Sequence, residues 1–334
     1  MTDSGPRSAW QERNEKKTMR KAERLAALVL VLMLVWCAFP YTAEAGRTYT
    51  VEETPVEVLK TYPYRVVSDS FVLYLSQEDI DSQGRDAYFD GMNRFLENLE
   101  EDLSEAREYL KDYLKDEVPP IEIYTYFAKK SPRGTGVYIS TAHKIMLYMG
   151  WERAADSVLH EYVHYLTYDC FRYGLTEGLW VEGVAEFVSE LACGNKTAKA
   201  FNYGLSDEEV ADYVSWGCVD EDGKINIRKY LWGYAASWDK PYSIGEKYTS
   251  VSGKKMMMTA RIQQNPTMDQ LTYPQGACFV EYLVNRFGKD RVFKHLNCNV
   301  IKFRGVYGQS FEELYSEWKQ ENLKKCMELG LDID

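Results

Sequence analysis

The chain contains 334 residues, of which 45% are hydrophobic and 27% charged, and it carries a formal net charge of −11. This composition is typical of a globular protein and excludes a disordered or fibrous one. The acidity excludes nucleic acid as an expected partner, because binding to phosphates requires a basic surface. A chain of this length can form one large domain, or two packed halves, around a sizeable core.

The first segment of the chain has the features of an export signal. Residues 25–39 form a continuous apolar run of 15 residues, which as a helix rises roughly 22 Å and is shorter than the ~30 Å core of a bilayer. Positive residues precede this run and small residues follow it, namely Arg20, Lys21, Arg24, Ala43 and Ala45. We therefore predict a signal peptide region over residues 1–45, with Met19 as the more typical start, and a secreted mature protein. The alternative is that residues 25–39 stay uncleaved and anchor the protein to the outer face of the membrane.

The part of the chain that follows is predicted to contain most of the strands. Residues 46–64 are expected to form an irregular lead-in to a strand-rich subdomain over residues 65–168. Its strands are predicted from apolar or alternating segments at 71–75, 121–127, 137–140 and 144–149. A helix is predicted over residues 84–116, because apolar residues recur there at intervals of three, four or seven and two prolines follow.

The remaining elements are predicted to be helical, in a subdomain over residues 169–334. The predicted helices of this subdomain cover residues 179–192, 274–287 and 311–328, and a short helix follows the capping box Ser206–Glu209, whereas the predicted helix 151–168 ends the strand-rich subdomain. Pro274 is expected to begin its helix, and Ser310 with Glu313 to cap the last one. The fold class is therefore α+β, with a mixed sheet in the first half and a mainly helical second half.

The predicted helix 151–168 contains the pattern H-E-x-x-H, as His160-Glu161-Tyr162-Val163-His164. Residues four apart lie on one face of a helix, so both imidazoles can bind the same ion, and neutral imidazole is a good zinc ligand. Glu161 lies one position further round the helix, where it can contact a water on that ion. The alternative is a surface helix with two solvated histidines.

A catalytic zinc needs a third protein ligand and an open position for water. The segment WVEGVAE supplies Glu182, which follows His164 by 18 residues across a turn, and Glu186 lies one helical turn beyond it. Glu186 is placed to accept a hydrogen bond from a ligand histidine. Gly183 between them suggests a close approach of two backbones. The alternative is that both glutamates are solvated helix residues.

The segments HEYVH and WVEGVAEF resemble the gluzincin zinc metallopeptidases. The local match is close to bacterial collagenase catalytic domains and to the E-G-x-A element of aminopeptidase-N-like enzymes. The resemblance implies a thermolysin-like fold in which His160, His164 and Glu182 bind Zn²⁺. It further implies that Glu161 is the general base and that Glu186 orients a ligand histidine.

A third segment, which begins at Tyr273, resembles the Y-x-x-G element of the same families, whose tyrosine stabilises the oxyanion. The alternative is an ordinary core tyrosine. Collagenases usually have a longer gap before the third ligand, together with accessory collagen-binding domains that are not found in this sequence. Aminopeptidases of this type carry a G-x-M-E-N strand that residues 121–150 do not contain, so neither of those substrate preferences is expected. In this superfamily the strand before the zinc helix lies along the cleft, and Lys144–Met149 occupies that position in the sequence.

The other histidines and the cysteines give weaker signals. His143 could contact a substrate and His295 could assist transition-state binding, although an isolated histidine is more often structural. Six cysteines follow the predicted signal peptide, which permits disulfides in an exported chain, and buried free thiols are the alternative.

Together these features predict a secreted, zinc-dependent endopeptidase that hydrolyses peptide bonds with a zinc-activated water. The expected partner is a peptide or protein substrate, and the protein is expected to be a monomer. Contact with a membrane is expected only if the N-terminal segment is uncleaved. The alternative from a different class is a catalytically silent zinc-binding domain of the same fold at the cell surface.

Overall fold

The computed structural model describes residues 49–54, 61–131, 134–172, 178–205, 211, 226, 229, 231, 266–297 and 303–328. The predicted signal peptide, the apolar run 25–39 and the capping box at 206–209 lie outside these residues. None of the described helices combines the length and the apolar character that crossing a membrane requires.

The fold is a mixed α+β structure built on one six-stranded sheet, as the sequence predicted. The strands are β1 (Thr50–Glu53), β2 (Tyr64–Val67), β3 (Phe71–Leu75), β4 (Ile121–Tyr126), β5 (Gly136–Ile139) and β6 (Lys144–Tyr148). Their order across the sheet is β1-β2-β3-β4-β6-β5. The two inner pairs, β3 with β4 and β4 with β6, are parallel, whereas the outer pairs are antiparallel.

Strand β1 falls within the predicted irregular lead-in 46–64, so that prediction was wrong. The side chains of β1 are largely exposed and show no regular alternation of buried and exposed positions, which left no pattern in the sequence. The strand is held by pairing with β2, where Thr50 lies opposite Val67. Tertiary pairing therefore decides the structure of this segment rather than local preference.

Helices cover one face of the sheet and make up most of the second half of the chain. They are α1 (Gln77–Gln83), α2 (Arg85–Leu110), α3 (Trp151–Tyr165), α4 (Gly178–Glu186), α5 (Lys196–Ala200), α6 (Pro266–Phe287), α7 (Lys289–Leu296), α8 (Phe303–Tyr307) and α9 (Phe311–Glu328). Single 3₁₀ turns occur at Lys111–Tyr113 and Asn202–Gly204. Helices α3 and α4 each continue into a π-helical turn, at Leu166–Cys170 and Phe187–Cys193.

The boundaries of two helices differ from the predicted ones. Helix α2 ends at Leu110, earlier than expected, because the chain tightens there into a 3₁₀ turn. Helix α6 begins at Pro266, so Pro274 lies inside it and does not begin it. Proline is favoured in the first turn of a helix, where its missing N–H costs nothing, and Pro266 occupies that place.

The core lies between the sheet and helices α2 and α3. Trp151, the first residue of α3, is almost completely buried. Its ring packs against Tyr88 and Phe95, and its indole N–H donates to the carbonyl of Tyr88. Gly91 leaves the space for this ring, because a Cβ there would lie 2.3 Å from the indole. The H-E-x-x-H segment therefore follows a firmly packed helix start.

The exposed edge of the sheet next to α3 belongs to β5 and not to the segment 144–149, which corrects the prediction for that segment. Strand β6 pairs with β4 on one side and with β5 on the other, so its own edges are both occupied. The second strand of this hairpin was expected to lie along the cleft, but the first strand, β5, lies at that edge. Sequence order alone could not show this exchange, because both strands are short and similarly apolar.

Three of the cysteines are free thiols, at Cys170, Cys193 and Cys278. For these three cysteines, the structure therefore has free thiols and not disulfides. The side chains of the remaining four, including Cys37 in the predicted signal peptide, lie outside the described part of the chain.

Candidate metal centre

Helix α3 presents His160 and His164 side by side. Val158, Leu159 and Val163 of the same helix are fully buried, and their packing fixes its rotation. The two imidazole rings are perpendicular, with their centroids 4.7 Å apart. The histidines are only 8% and 7% exposed, so they are not solvated surface residues.

Helix α4 brings Glu182 to the same point. Its Oε2 atom lies 3.2 Å from Nε2 of His160 and 3.2 Å from Nε2 of His164. One ligand atom from each residue lies within 4.8 Å of the other two, and this group, the metal tripod, could hold a metal ion. Two ligands at about 2.0–2.1 Å from a tetrahedral zinc are roughly 3.3 Å apart, so these separations fit such an ion.

The position of Glu182 depends on a contact between two glycines. A Cβ on Gly183 would lie 2.7 Å from the backbone of Gly276 in α6, so the two helices touch through their main chains. Gly183 follows Glu182, and Gly276 lies one turn after Tyr273. The close approach of backbones expected at Gly183 is therefore present, and it sets α6 beside the metal tripod.

Glu186 contacts the outer ring nitrogen of His160. Its Oε2 lies 3.1 Å from Nδ1 of His160, which leaves the inner nitrogen of the ring directed at Glu182. Such a contact selects the tautomer and the orientation of a ligand histidine. The corresponding Nδ1 of His164 is buried and has no hydrogen-bond partner among the described residues.

The charges of the metal tripod compensate one another. Burial lowers the pKa of His160, but hydrogen bonds to Glu182 and Glu186 outweigh it and hold that pKa well above its usual value. Burial also raises the pKa of Glu182, but the two histidines outweigh it, and the net pKa lies far below its usual value. The carboxylate form of Glu182 is the one that binds a metal ion.

Glu161 lies between α3 and the edge strand. Its Oε2 accepts a hydrogen bond of 2.6 Å from the backbone N–H of Tyr138 in β5. Gly136 in the same strand makes this approach possible, because a Cβ there would lie 3.1 Å from the Glu161 side chain and 2.8 Å from Ser157. The carboxylate is thus fixed in direction beside the metal tripod.

An open cleft of about 220 Å³ runs between the edge strand, α3 and α4. Its lining residues are Gly134, Thr135, Gly136, Asp156, Ser157, His160, Glu161, Glu186, Glu190 and Tyr273. The cleft therefore opens onto one ligand histidine and the predicted base together.

Tyr273 lies in this cleft as the sequence placed it, although from within α6 rather than from the start of a helix. Its ring centroid is 5.4 Å from that of His160, and the residue is 36% exposed. A second tyrosine, Tyr168 on the π-helical turn after α3, has its ring 6.2 Å from that of His164. Burial, together with the charge of Glu182, raises the pKa of Tyr168.

The two remaining histidines lie elsewhere. His143 is exposed, and its Nδ1 lies 2.6 Å from a carboxylate oxygen of Asp169, which also accepts a hydrogen bond from the Tyr138 hydroxyl. His295 is buried in the core, where it contacts Phe303 and Tyr307. Neither residue lines the cleft described above.

Sequence reasoning missed two acidic residues in the cleft. Asp156 precedes His160 by one turn of α3, and Glu190 follows Glu186 by one turn. Burial, followed by the charge of Glu186, raises the pKa of Asp156 to about 7. The same two causes raise the pKa of Glu190. The spacing of four from each named residue was the signal that could have indicated them.

No model of a known protein family matches this chain, and no curated protein matches it either. The resemblance to gluzincins therefore stays a prediction that rests on the motif residues.

Proposed function

We propose that this protein is a zinc-dependent metallopeptidase of the gluzincin type with a thermolysin-like catalytic domain. The observation that carries the proposal is the convergence of His160, His164 and Glu182 on one point beside an open cleft. Glu161 reaches the same cleft from the same helix. A set of two histidines and one glutamate that leaves a fourth position open is a known arrangement for catalytic zinc.

The chemistry of the ligands favours zinc among the common divalent ions. Calcium and magnesium prefer oxygen ligands, whereas two imidazoles and one carboxylate suit zinc. When bound, zinc would act as a Lewis acid on the substrate carbonyl and would lower the pKa of a water molecule.

Glu161 and Tyr273 would supply the proton transfer and the oxyanion contact. Glu161 would accept a proton from the attacking water and deliver it to the leaving amine. The hydrogen bond from Tyr138 keeps its carboxylate directed into the cleft. The hydroxyl of Tyr273 would donate to the oxyanion that develops on the peptide carbonyl, and one such donor is often worth about 3–4 kcal/mol.

The edge of β5 offers a site for the backbone of an extended substrate beside the Tyr138 N–H, which already donates to Glu161. An extended peptide can add a strand to such an edge, and it gains main-chain hydrogen bonds when it does so. Gly134 and Gly136 line the cleft without side chains that would block this approach. The cleft is open and borders β5 at Gly136, which favours cleavage within an extended chain, so we propose an endopeptidase.

We also propose that the protein is exported. The signal peptide predicted over residues 1–45 would deliver the enzyme to the outside of the cell, where its substrate is a peptide or another protein. If residues 25–39 remained attached, the catalytic domain would act at the outer face of the membrane.

The test compares wild type with Glu161→Gln, with Glu152→Gln as a matched control on the exposed side of the same helix. Zinc content is measured by elemental analysis, and cleavage is measured with casein and with an end-blocked quenched peptide. We expect one zinc per chain in all three proteins and a loss of at least about 100-fold in cleavage for Glu161→Gln alone. Equal cleavage by Glu161→Gln would refute the assignment of the base. Stoichiometric zinc without cleavage by wild type would indicate the silent zinc-binding domain instead.

A further inference from the structure

Three carboxyl groups that the proposed reaction leaves without a chemical role of their own share the cleft with the metal tripod. Asp156 belongs to α3, whereas Glu186 ends α4 and Glu190 lies in the π-helical turn after it. All three line the same cleft as His160. We call this group the acidic pocket.

The surroundings of Glu190 indicate that the acidic pocket is a binding site and not a chance grouping of carboxyls. The residue is only 7% exposed, and its Oε1 accepts a hydrogen bond of 2.6 Å from the side-chain amide of Asn195. Its Oε2 is buried and has no hydrogen-bond partner among the described residues. A buried carboxyl oxygen without a partner is costly, so a donor that enters the cleft would satisfy it.

The charges around the acidic pocket leave an excess of negative groups. Among the groups whose charges act on Glu190, Glu186 and Asp156 carry the same charge and His160 carries the opposite one. Asp156 faces Glu186 in addition to the positive groups Arg153 and His160. Because His160 also serves the metal tripod and contacts Glu182, the pocket favours a further cation.

The geometry favours an organic cation over a second metal ion. Within the described ranges, the only group with ligand atoms close enough for a metal ion is the tripod itself. The three carboxyls are therefore spread over a wider space than one ion would fill. The cleft of about 220 Å³ is smaller than the ~300–1,000 Å³ of typical small-molecule pockets and is suited to one side chain.

From this arrangement we propose that the acidic pocket binds the positively charged side chain of a lysine or arginine in the substrate. The enzyme would then select peptide bonds next to a basic residue. This inference rests on the proposed peptidase function and names its substrate class. An ammonium or guanidinium group would donate to Glu190 and Asp156, while Glu186 continues to orient His160.

The first measurement is kcat/KM on matched quenched peptides that differ at one position. Lysine, arginine or norleucine is placed in turn on each side of the cleaved bond, with the amino end acetylated. We expect wild type to prefer the basic peptides by about tenfold or more at one position. This ratio should fall about tenfold in Asp156→Asn and in Glu190→Gln, whose amide oxygen can still accept from Asn195. It should not change in Glu152→Gln.

A second measurement separates this inference from the peptidase proposal. Zinc-loaded Glu161→Gln is titrated with the lysine and norleucine peptides by calorimetry, alone and combined with Glu190→Gln. Tighter binding of the lysine peptide that is lost with Glu190→Gln supports the pocket, even if wild type cleaves nothing and the peptidase proposal fails. Equal binding and equal cleavage of the two peptides would overturn the pocket.

Two further results would also overturn it, by assigning the carboxyls to another cation. One is a preference for a free over an acetylated amino end that does not depend on the side chain. The other is stoichiometric Ca²⁺ binding that Glu190→Gln abolishes, in the absence of any preference for basic peptides. Unfolding temperature and zinc content are recorded for every variant, and Asp156→Asn decides the question if Glu190→Gln does not fold.

Discussion

The metal tripod and the acidic pocket lie side by side on the same two helical segments, yet they hold buried charge in opposite ways. In the tripod, one carboxylate oxygen lies 3.2 Å from each of two imidazoles. In the pocket, Asp156 and Glu190 face Glu186, a group of their own charge. The first arrangement is compensated before any ligand binds, whereas the second needs a partner from outside.

This difference shows how one short stretch of sequence can prepare two kinds of binding. The tripod sets one carboxylate against two imidazoles, so its members attract one another without a metal ion. The pocket stores repulsion between like groups, which a cation would relieve. Replacing a carboxyl by an amide should therefore have opposite consequences in the two places.

The largest effect is expected when the tripod loses its carboxylate. Glu182→Gln should weaken zinc binding by more than about 100-fold, because a first ligand matters more than the outer contacts, whose loss costs about 10- to 100-fold. Glu186→Gln should fall within that smaller range. Competition with a chromophoric chelator measures both, with Glu152→Gln as the control. If Glu182→Gln bound zinc with the affinity of wild type, Glu182 would not be a ligand in the tripod.

The next effect tests the helix contact that places Glu182 but not Asp156. In Gly183→Ala the new Cβ would meet the backbone of Gly276 at 2.7 Å, so the helices must separate. We expect a loss of about 1–3 kcal/mol in the free energy of unfolding, together with weaker zinc binding. Denaturant unfolding and chelator competition measure the two effects.

Gly305→Ala is the control for this substitution, because nothing lies within 4 Å of a Cβ at that glycine in α8. Alanine is the better helix former, so Gly305→Ala should be neutral or slightly stabilising. If both alanine variants behaved alike, the contact of α4 with α6 would not position the third ligand.

A smaller effect of opposite sign is expected in the acidic pocket. The pKa of Asp156 rises on folding from 3.8 to about 7, so the folded protein binds this proton more tightly than the unfolded chain. The stability that this protonation contributes is fully present below pH 4 and is lost as the pH rises through 7. Asp156→Asn should therefore stabilise the metal-free protein by about 1–2 kcal/mol at pH 8 and by little at pH 4.

Thermal unfolding of the metal-free protein at pH 4, 6 and 8 measures this effect. Glu182→Gln should act in the other direction, because the lowered pKa of Glu182 means that its carboxylate stabilises the fold above pH 4 and loses this effect only in stronger acid. If Asp156→Asn destabilised the protein at pH 8, the carboxyls of the pocket would not repel one another as described.

The smallest effect is expected far from both groups, at the cap of α9. The backbone N–H of Ser310 donates to Glu313, and the N–H of Glu313 donates to the Ser310 hydroxyl. Ser310→Ala should cost about 1 kcal/mol of stability at every pH and leave zinc binding unchanged. A change in zinc affinity in this variant would show that the differences between the metal tripod and the acidic pocket reflect overall stability rather than local charge.

The sequence could predict those parts of the site that depend on local geometry. The spacing of His160 and His164 places both on one helical face whatever the rest of the fold does. The length of the gap between the two helices predicted the position of Glu182. The lower helix stability that a glycine causes indicated the close contact at Gly183. The cap of α9 was readable because both of its members lie within one turn.

The rest depends on partners that are distant along the chain. The exposure of β5 rather than β6 follows from the pairing of β6 with β4, which no local pattern reports. The start of α6 at Pro266 was hidden by Pro274, a residue that usually marks a helix start. Asp156 and Glu190 looked like ordinary helix residues, because their burial comes from the way the helices meet.

The contact of Gly183 with Gly276 has a consequence for how this site can change. Main chain meets main chain there, so this contact helps to set the 5.4 Å between the rings of Tyr273 and His160. Residues that only shape the walls of the cleft can then be exchanged for others while the reactive centre keeps its dimensions. As the proposed peptidase, the scaffold would thus be suited to acquiring new substrate preferences in the laboratory by substitutions at Thr135 and Ser157.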